Sequence, residues 1–194
     1  MNSSSLIASA KRTLTIPLLD LMGGPEGWGQ AQGTQIAAQV RSRIEACPSL
    51  IVRLSLRGVE KMDVTYAGEL VRLAANARMQ RGFCLVDLSD QDLIKNWYAA
   101  ALWDRMPLFV WNAEMRMCKL GPDPSAGLGK TLQYVLSVER GTSSEVAKAL
   151  QLKTQNASNK LKQLWTEGFI LRQERSRDEW RSRIRIPAYC VIHF

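Results

Sequence analysis

Apolar positions along the first 120 residues switch repeatedly between two spacings. Runs over 13–20, 50–56, 83–88 and 107–111 are short and β-like, and that over 50–56 has the apolar density of a buried strand. Between them, Ile36, Val40, Ile44 and Cys47 recur at helical spacing, as do Ala67, Leu70, Val71, Ala74 and Ala77. Ser89, with Asp92 three residues on, is placed to cap a further helix whose buried face reads Leu93, Ile94, Trp97, Tyr98, Ala101 and Leu102. Residues 113–120 read as one more helix, following the 107–111 strand. Strands and helices alternating in this way predict an α/β domain over residues 1–120, with a partly parallel sheet under covering helices.

The pattern breaks at 121–127, where two prolines and two glycines can continue neither a helix nor a strand, so these residues read as a linker. Beyond it, Leu128, Leu132, Val135 and Leu136 form one apolar stripe and predict a helix over 127–140. Thr142 and Glu145 have capping-box spacing ahead of a second helix that faces inward with Val146, Ala147 and Leu150. Leu152 closes the turn, and Thr154 is placed to cap a third helix that buries Ala157, Leu161 and Leu164 and ends at Gly168. Facing outward on this third helix are Gln155, Asn156, Ser158, Asn159, Lys162 and Gln163, with no acid before Glu167. A merely solvated helix more often carries Glu and Lys pairs at four-residue spacing. Amides and hydroxyls near a helix N-terminus instead match base edges and phosphates. Residues 169–174 and 180–187 then read as an antiparallel hairpin with its tip at 176–179. Arg181, Arg183 and Arg185 alternate with Trp180, Ser182, Ile184 and Ile186, and Arg172, Arg175 and Arg177 add charge near the tip. The fold class expected for the whole chain is therefore α/β plus α+β, with the second domain over 128–194.

Charge follows the same division. Of a net +8, residues 128–194 hold 12 Lys/Arg against 6 Asp/Glu, net +6, and residues 1–127 hold 14 against 12, net +2. A basic excess on one module is what attraction to phosphates requires. No basic amphipathic helix, lipidation signal or run of membrane-spanning length accompanies it, so no membrane partner is expected. The Met-Asn-Ser-Ser-Ser start lacks a signal-peptide core, and Cys47, Cys84, Cys118 and Cys190 form no CxxC pair. Reduced thiols in a cytoplasm are the expected state.

Candidate catalytic chemistry is sparse. The single histidine, His193, is the penultimate residue, so no Ser/His/Asp or Cys/His arrangement assembles and no zinc site of ordinary spacing is expected. Asp87, Asp90 and Asp92 cluster where they serve a helix start. The glycines at 23, 24, 27 and 29 lack GxGxxG order and read as a mobile or tightly turned loop. Gly127-Leu-Gly-Lys-Thr131 ends like a P-loop, but Pro124 occupies the place of that motif's first glycine. No enzyme activity, metal or cofactor is expected. The apolar end at 187–194 reads as packing on the first domain or on a second copy.

Two resemblances add to this reading. Leu54-Ser-Leu-Arg-Gly-Val-Glu-Lys-Met-Asp-Val-Thr-Tyr-Ala-Gly-Glu-Leu70 resembles the strand–turn–S/T-aromatic-A-x-E-L signature of STAS-like domains, distant relatives of anti-anti-sigma factors, and the likeness covers roughly residues 13–120. It implies a small α/β module that senses or relays signals by protein contact. It also places Thr65, two residues after Asp63, near the position of those factors' phosphoacceptor serine. A phosphate there gains from the helix N-terminus. This chain reads Asp-Val-Thr-Tyr rather than Asp-Ser-Ser-Gly, and the other reading is that Asp63 caps the helix with Thr65 in its first turn.

Residues 128–187, through T-S-x-E-V-A-x-x-L and L-x-x-L-x-x-x-G-F-I-x-R, resemble winged helix-turn-helix domains of the MarR type. That likeness implies a third helix in the DNA major groove and a wing on the backbone or the adjacent minor groove. The contacts would come from Thr154, Gln155, Asn156, Ser158, Asn159 and Lys162, and from Arg172, Arg175, Arg177, Arg181 and Arg183. The wing tip lacks the glycine often found there and carries Asp178 and Glu179, so the wing is expected to touch phosphates only through its arginines or not at all. The expectation is a cytoplasmic, homodimeric regulator of transcription that binds double-stranded DNA, with a possible protein partner at the STAS-like domain. Two other readings stay open: an adaptor in a signalling or defence complex that binds no DNA, and an enzyme holding a nucleotide in its Gly-rich loop.

Overall fold

The structure, a computed structural model, describes residues 13–47, 49–111, 117–138, 140–173 and 183–185. Two compact units divide the chain: Met1–Ala77 with Arg81–Pro122, and Arg78–Gln80 with Asp123–Phe194.

The first unit is mixed α/β. It runs β1 (Thr13–Pro17), α1 (Leu19–Met22), β2 (Glu26–Gly27), α2 (Gly29–Glu45), β3 (Ile51–Ser55) and β4 (Lys61–Met62). α3 (Val64–Ala77), β5 (Gly82–Val86), α4 (Gln91–Trp103), β6 (Leu108–Trp111) and β7 (Met117–Leu120) follow. Five strands form one sheet in the order β1-β3-β5-β6-β7, and β2 pairs separately with β4. The first four strands of the large sheet are parallel and β7 is antiparallel. Because the parallel crossovers all step in the same direction with the usual right hand, they lay their helices on one face. Accordingly α2 packs on α3 and α3 on α4. Ile16, Val52, Leu54, Phe83, Leu85, Leu108 and Val110 meet the inner stripes of those helices in a single core. Alternate strand residues point the other way. There Arg53 reaches from β3 across β5 to lie 5.9 Å over the ring of Trp111 on β6. Cys84, opposite Arg53 on β5, is fully buried, and that burial pushes its thiol pKa up to about 12.

Three details differ from the sequence reading. The segment expected as a helix over 113–120 supplies β7 instead, with Leu108 opposite Leu120 and Trp111 opposite Met117. A parallel return needs a dozen or more residues, so the short connection permits only a hairpin. Helix α4 is capped by Asp90 rather than Ser89, its carboxylate accepting from the N–H groups of Asp92 and Leu93 at 2.9 Å each. On the same helix Tyr98 and Leu102, expected in the core, are 45% and 40% exposed. α4 closes the row of helices, and only Leu93, Trp97, Ala100 and Ala101 are buried on it.

The contact between α2 and α3 has two specific supports. A Cβ on Gly33 would stand 2.8 Å from the Tyr66 carbonyl oxygen and 2.9 Å from its Cα, so the helices meet backbone to backbone. The Asp63 carboxylate then ties both helix starts together. It accepts from the Gly29 N–H at 2.7 Å, the Tyr66 N–H at 2.7 Å and the Thr65 hydroxyl at 2.8 Å. Partial burial raises the Asp63 pKa, but the bonds from Tyr66, Thr65 and Gly29 outweigh it and hold the carboxyl below its ordinary value.

The second unit comprises α5 (Gly129–Ser137), β8 (Arg140–Gly141), α6 (Ser143–Ala149), α7 (Thr154–Thr166), β9 (Leu171–Gln173) and β10 (Arg183–Arg185). The first helix is shorter than the expected 127–140, and Arg140 joins a strand not foreseen from sequence. The order β8-β10-β9 makes a three-stranded antiparallel sheet. Leu128, Leu132, Val135, Val146, Ala147, Ala157, Leu161, Leu164, Phe169 and Ile170 are buried.

Two stability predictions follow from the helix contact. Gly33→Ala forces α2 off α3 and is expected to cost about 2–3 kcal/mol, measured by urea unfolding; an unchanged midpoint would refute the close approach. Asp63→Ala is expected to cost about 2 kcal/mol at neutral pH. Since the folded pKa of Asp63 is depressed, its ionic contribution is complete above the unfolded value of ~3.9 and is lost as pH falls through the lower folded value. The gap between wild type and variant should therefore narrow in acid, and a gap independent of pH would count against the latch.

Candidate nucleic-acid interface

Helix α7 owes its position to its two ends and one stripe. Upstream, Thr142 and Glu145 form the expected capping box: the Thr142 N–H donates to the Glu145 carboxylate at 2.6 Å and the Glu145 N–H to the Thr142 hydroxyl at 3.3 Å. Helix α6 then ends through Gln151 in the left-handed region at φ 53, an uncommon conformation for a residue with a Cβ. The Leu152 N–H returns to the Ala147 carbonyl at 2.8 Å and the Gln151 N–H to the Lys148 carbonyl at 3.4 Å. This pair of bonds is a Schellman turn, and it starts the short path into α7. The same device closes α7: Gly168 has φ 88, the Phe169 N–H reaches the Leu164 carbonyl at 2.9 Å, and the Gly168 N–H reaches Trp165 at 3.1 Å. Between these ends Ala157, Leu161 and Leu164 are buried.

The opposite face of α7 is polar. Thr154, Gln155, Asn156, Ser158, Asn159 and Lys162 are all exposed, and the sequence reading had all of these but Thr154 facing outward. Gln155 Nε2 donates to Asn159 Oδ1 at 3.2 Å, so these two amides form a ridge one turn long. Glu167, the C-cap of α7, is engaged by the Ser125 N–H at 3.2 Å, by the Ser125 hydroxyl and by Gln163 Nε2 at 3.0 Å. Lys160 is drawn away as well, its ammonium donating to the Gly127 carbonyl at 2.6 Å.

One expectation at this helix is corrected. Thr154 does not cap α7; it is the first helical residue, and Lys153 takes the N-cap place in an extended conformation. A lysine side chain has no acceptor, so the helix start has no side-chain cap. The first helical bond runs from the Ala157 N–H to the Lys153 carbonyl at 3.1 Å, leaving the N–H groups of 154–156 outside the helical ladder. Sequence reasoning passed over Lys153 because threonine is the better cap by type.

The arginines divide. Arg172 on β9 is exposed, and its guanidinium lies 5.6 Å over the Trp165 ring, beside the C-terminal turn of α7. It is therefore about 15 Å along the helix from Gln155, at 1.5 Å per residue. Arg183 lies in β10 opposite Gln173, while Arg172 is opposite Ile184, so the two arginines take alternate positions of the ladder. Arg175, Arg177 and Arg181, and the hairpin tip at 176–179, lie outside the described residues. The Trp165 platform was not foreseen; the pairing of a helix tryptophan with an arginine just beyond the closing glycine was its signal in the sequence.

The other candidate positions serve structure in visible ways. Thr65 is exposed, and its hydroxyl is bonded to Asp63. In the Gly-rich loop, the N–H at the start of α2 is taken by Asp63 and the Trp28 N–H by the Gln32 side chain at 3.1 Å. Thr131 of the P-loop-like ending is 1% exposed within the core of the second unit. Among the described residues Cys47, Cys84 and Cys118 are free, no cluster of His, Cys, Asp and Glu could hold a metal, and no helix is long and apolar enough to cross a membrane. Compared with protein families, with curated proteins and with solved structures, the chain matches none.

Proposed function

We propose that the second unit is a winged helix-turn-helix of MarR-like kind that binds double-stranded DNA, with α7 as the helix that enters the major groove. On this reading the chain is a cytoplasmic regulator of transcription, and its first, STAS-like unit senses a signal or makes protein contacts. The observation that carries the proposal is the solvent face of α7: amides, hydroxyls and one lysine, without a carboxylate, leading up to an uncapped helix start.

Each part of that face suits a duplex. The free N–H groups and the positive end of the helix dipole favour a backbone phosphate at 154–156. Gln155 and Asn156 carry the donor–acceptor pairs that match adenine, and Lys162 adds a point charge one or two turns on. A carboxylate on this face would repel the phosphates, and Glu167 is held by Ser125 and Gln163 instead. The net +6 of residues 128–194 supplies the longer-range attraction. Arg172, Arg175, Arg177, Arg181 and Arg183 are assigned to the DNA backbone through the hairpin. Thr65 is retained as a phosphoacceptor of the first unit, where a phosphate would lose the Thr65 bond to Asp63 and compete with that carboxylate for the start of α3.

If six phosphates are engaged, log K should fall with log salt at a slope of roughly −5, measured by fluorescence anisotropy on a duplex selected from a random pool. Lys162→Ala should weaken all duplexes alike and make that slope shallower by about 1. Gln155→Ala combined with Asn156→Ala should remove about 1–3 kcal/mol of discrimination between selected and scrambled duplex while sparing most non-specific affinity. Absence of binding, or binding indifferent to salt, would remove the DNA reading and favour an adaptor.

A further inference from the structure

Not every polar residue of α7 stands at the middle of its outward face. The buried side chains of Ala157, Leu161 and Leu164 fall within an arc of about 60° around the helix axis, at about 100° per residue. Gln155 and Asn159 lie about 40° apart and straddle the direction opposite that arc. Asn156 and Ser158 stand off it by roughly 70° and 90°, one to each side. A helix about 10–12 Å across fills a major groove about 12 Å wide, so its outward pole meets base edges and its flanks meet the two backbones. Gln155 and Asn159 are therefore the pair that base edges would face, and Asn156 is nearer a backbone.

These two central amides are not independent. Gln155 Nε2 donates to Asn159 Oδ1 at 3.2 Å across one turn, while both residues are exposed. An exposed bond at this spacing supports the helix only slightly. Its larger effect falls on Gln155, a long side chain that otherwise samples many rotamers in water. The bond uses one of the two amide N–H groups and leaves the other together with the carbonyl oxygen. One donor beside one acceptor is the pair that adenine meets with its N7 and N6 groups.

We propose that Gln155 reads an adenine in the major groove and that Asn159 is its positioning residue, fixing the amide before DNA arrives. The inference rests on the DNA-binding reading of α7 and adds to it the base that is read and a division of roles between the two amides. For N7 and N6 to be met together, the N–H given to Asn159 is the one trans to the Gln155 carbonyl oxygen. The other N–H then lies beside that oxygen, on one edge of the amide. Ordering the amide in the free protein removes part of that cost from the binding step. Asn159 acts through Gln155 and selects no base of its own.

Selection of the full chain on a random duplex pool, followed by anisotropy on single-base variants of the selected duplex, tests it. Gln155→Ala should lower the preference for adenine at one base-pair position by roughly 10-fold or more. Asn159→Ala should lower it several-fold at the same position, spare non-specific affinity, and add nothing when Gln155 is already alanine. Asn159→Asp keeps an acceptor for Gln155 but sets a negative charge before the phosphates. It should weaken binding to every duplex alike and keep the adenine preference. In the free protein, side-chain amide NMR should show the Gln155 N–H trans to its carbonyl oxygen shifted by the bond, and Asn159→Ala should abolish that shift. Circular dichroism melts, expected nearly unchanged at these exposed positions, show that the variants are folded. An Asn159→Ala chain with full adenine preference, or one that loses preference at a different base pair, would overturn the positioning role. So would an Asn159→Asp chain without the preference, or a Gln155→Ala chain that retains it. Binding to duplex without these effects removes this inference alone, whereas a chain that binds no duplex removes the DNA reading and this inference with it.

Discussion

Which way α7 presents its amides is decided by the burial of Ala157, Leu161 and Leu164. Each leucine removed from water contributes about 2 kcal/mol, so rotating the helix by even one position would exchange that gain for buried glutamine and asparagine without partners. Nothing on the polar side opposes this, because its groups are as well solvated outward as any surface. The two Schellman turns limit the remaining freedom by setting where α7 begins and ends. The polar face is thus held in place from behind, by packing, and its own side chains remain available for contact. That division of labour gives the helix a rigid support behind a solvent-facing polar front.

Legibility from sequence followed the same division. Where period and cap chemistry agree, as in α3 behind Asp63 and α6 behind Thr142 and Glu145, the helix and its start were readable, and Gly168 marked the end of α7. The face of α7 was readable for the same reason, since burial there is set by a local stripe. Neighbours were not readable. Residues 117–120 have an apolar content compatible with either helix or strand, and only the shortness of the connection from β6 makes them a strand. Tyr98 and Leu102 sit at helical spacing from true core residues, and their exposure reflects the end of a row of helices, which no period encodes. Gln151 in a left-handed turn was equally hidden, because sequence points to glycine or asparagine there.

In the first unit the glycines and Asp63 form one device rather than a ligand loop beside a helix cap. Gly33 lets α2 approach α3 until the carbonyl of Tyr66 meets its backbone, and that approach brings the start of α2 within reach of the carboxylate heading α3. The negative charge that a helix N-terminus attracts is then supplied by the protein itself. A nucleotide phosphate at the Gly29 N–H would have to displace Asp63 from it and break the 2.7 Å bond between them. The Gly29 N–H, one of the groups the Gly-rich loop would offer a phosphate, is therefore already engaged.

The same carboxylate bears on Thr65. Its hydroxyl is a donor to Asp63 in the described state, and phosphorylation removes that donor and sets a dianion beside a carboxylate that already has two backbone partners. Both anions cannot share the start of α3, so the phosphate would either turn outward into solvent or push Asp63 off the Gly29 N–H. Only the second outcome loosens α2 from α3, and it carries a cost because the bonds that hold the Asp63 pKa down must be given up. A modification at Thr65 would therefore act on the packing of the first unit through Asp63, and it would leave the α7 face of the second unit chemically unchanged.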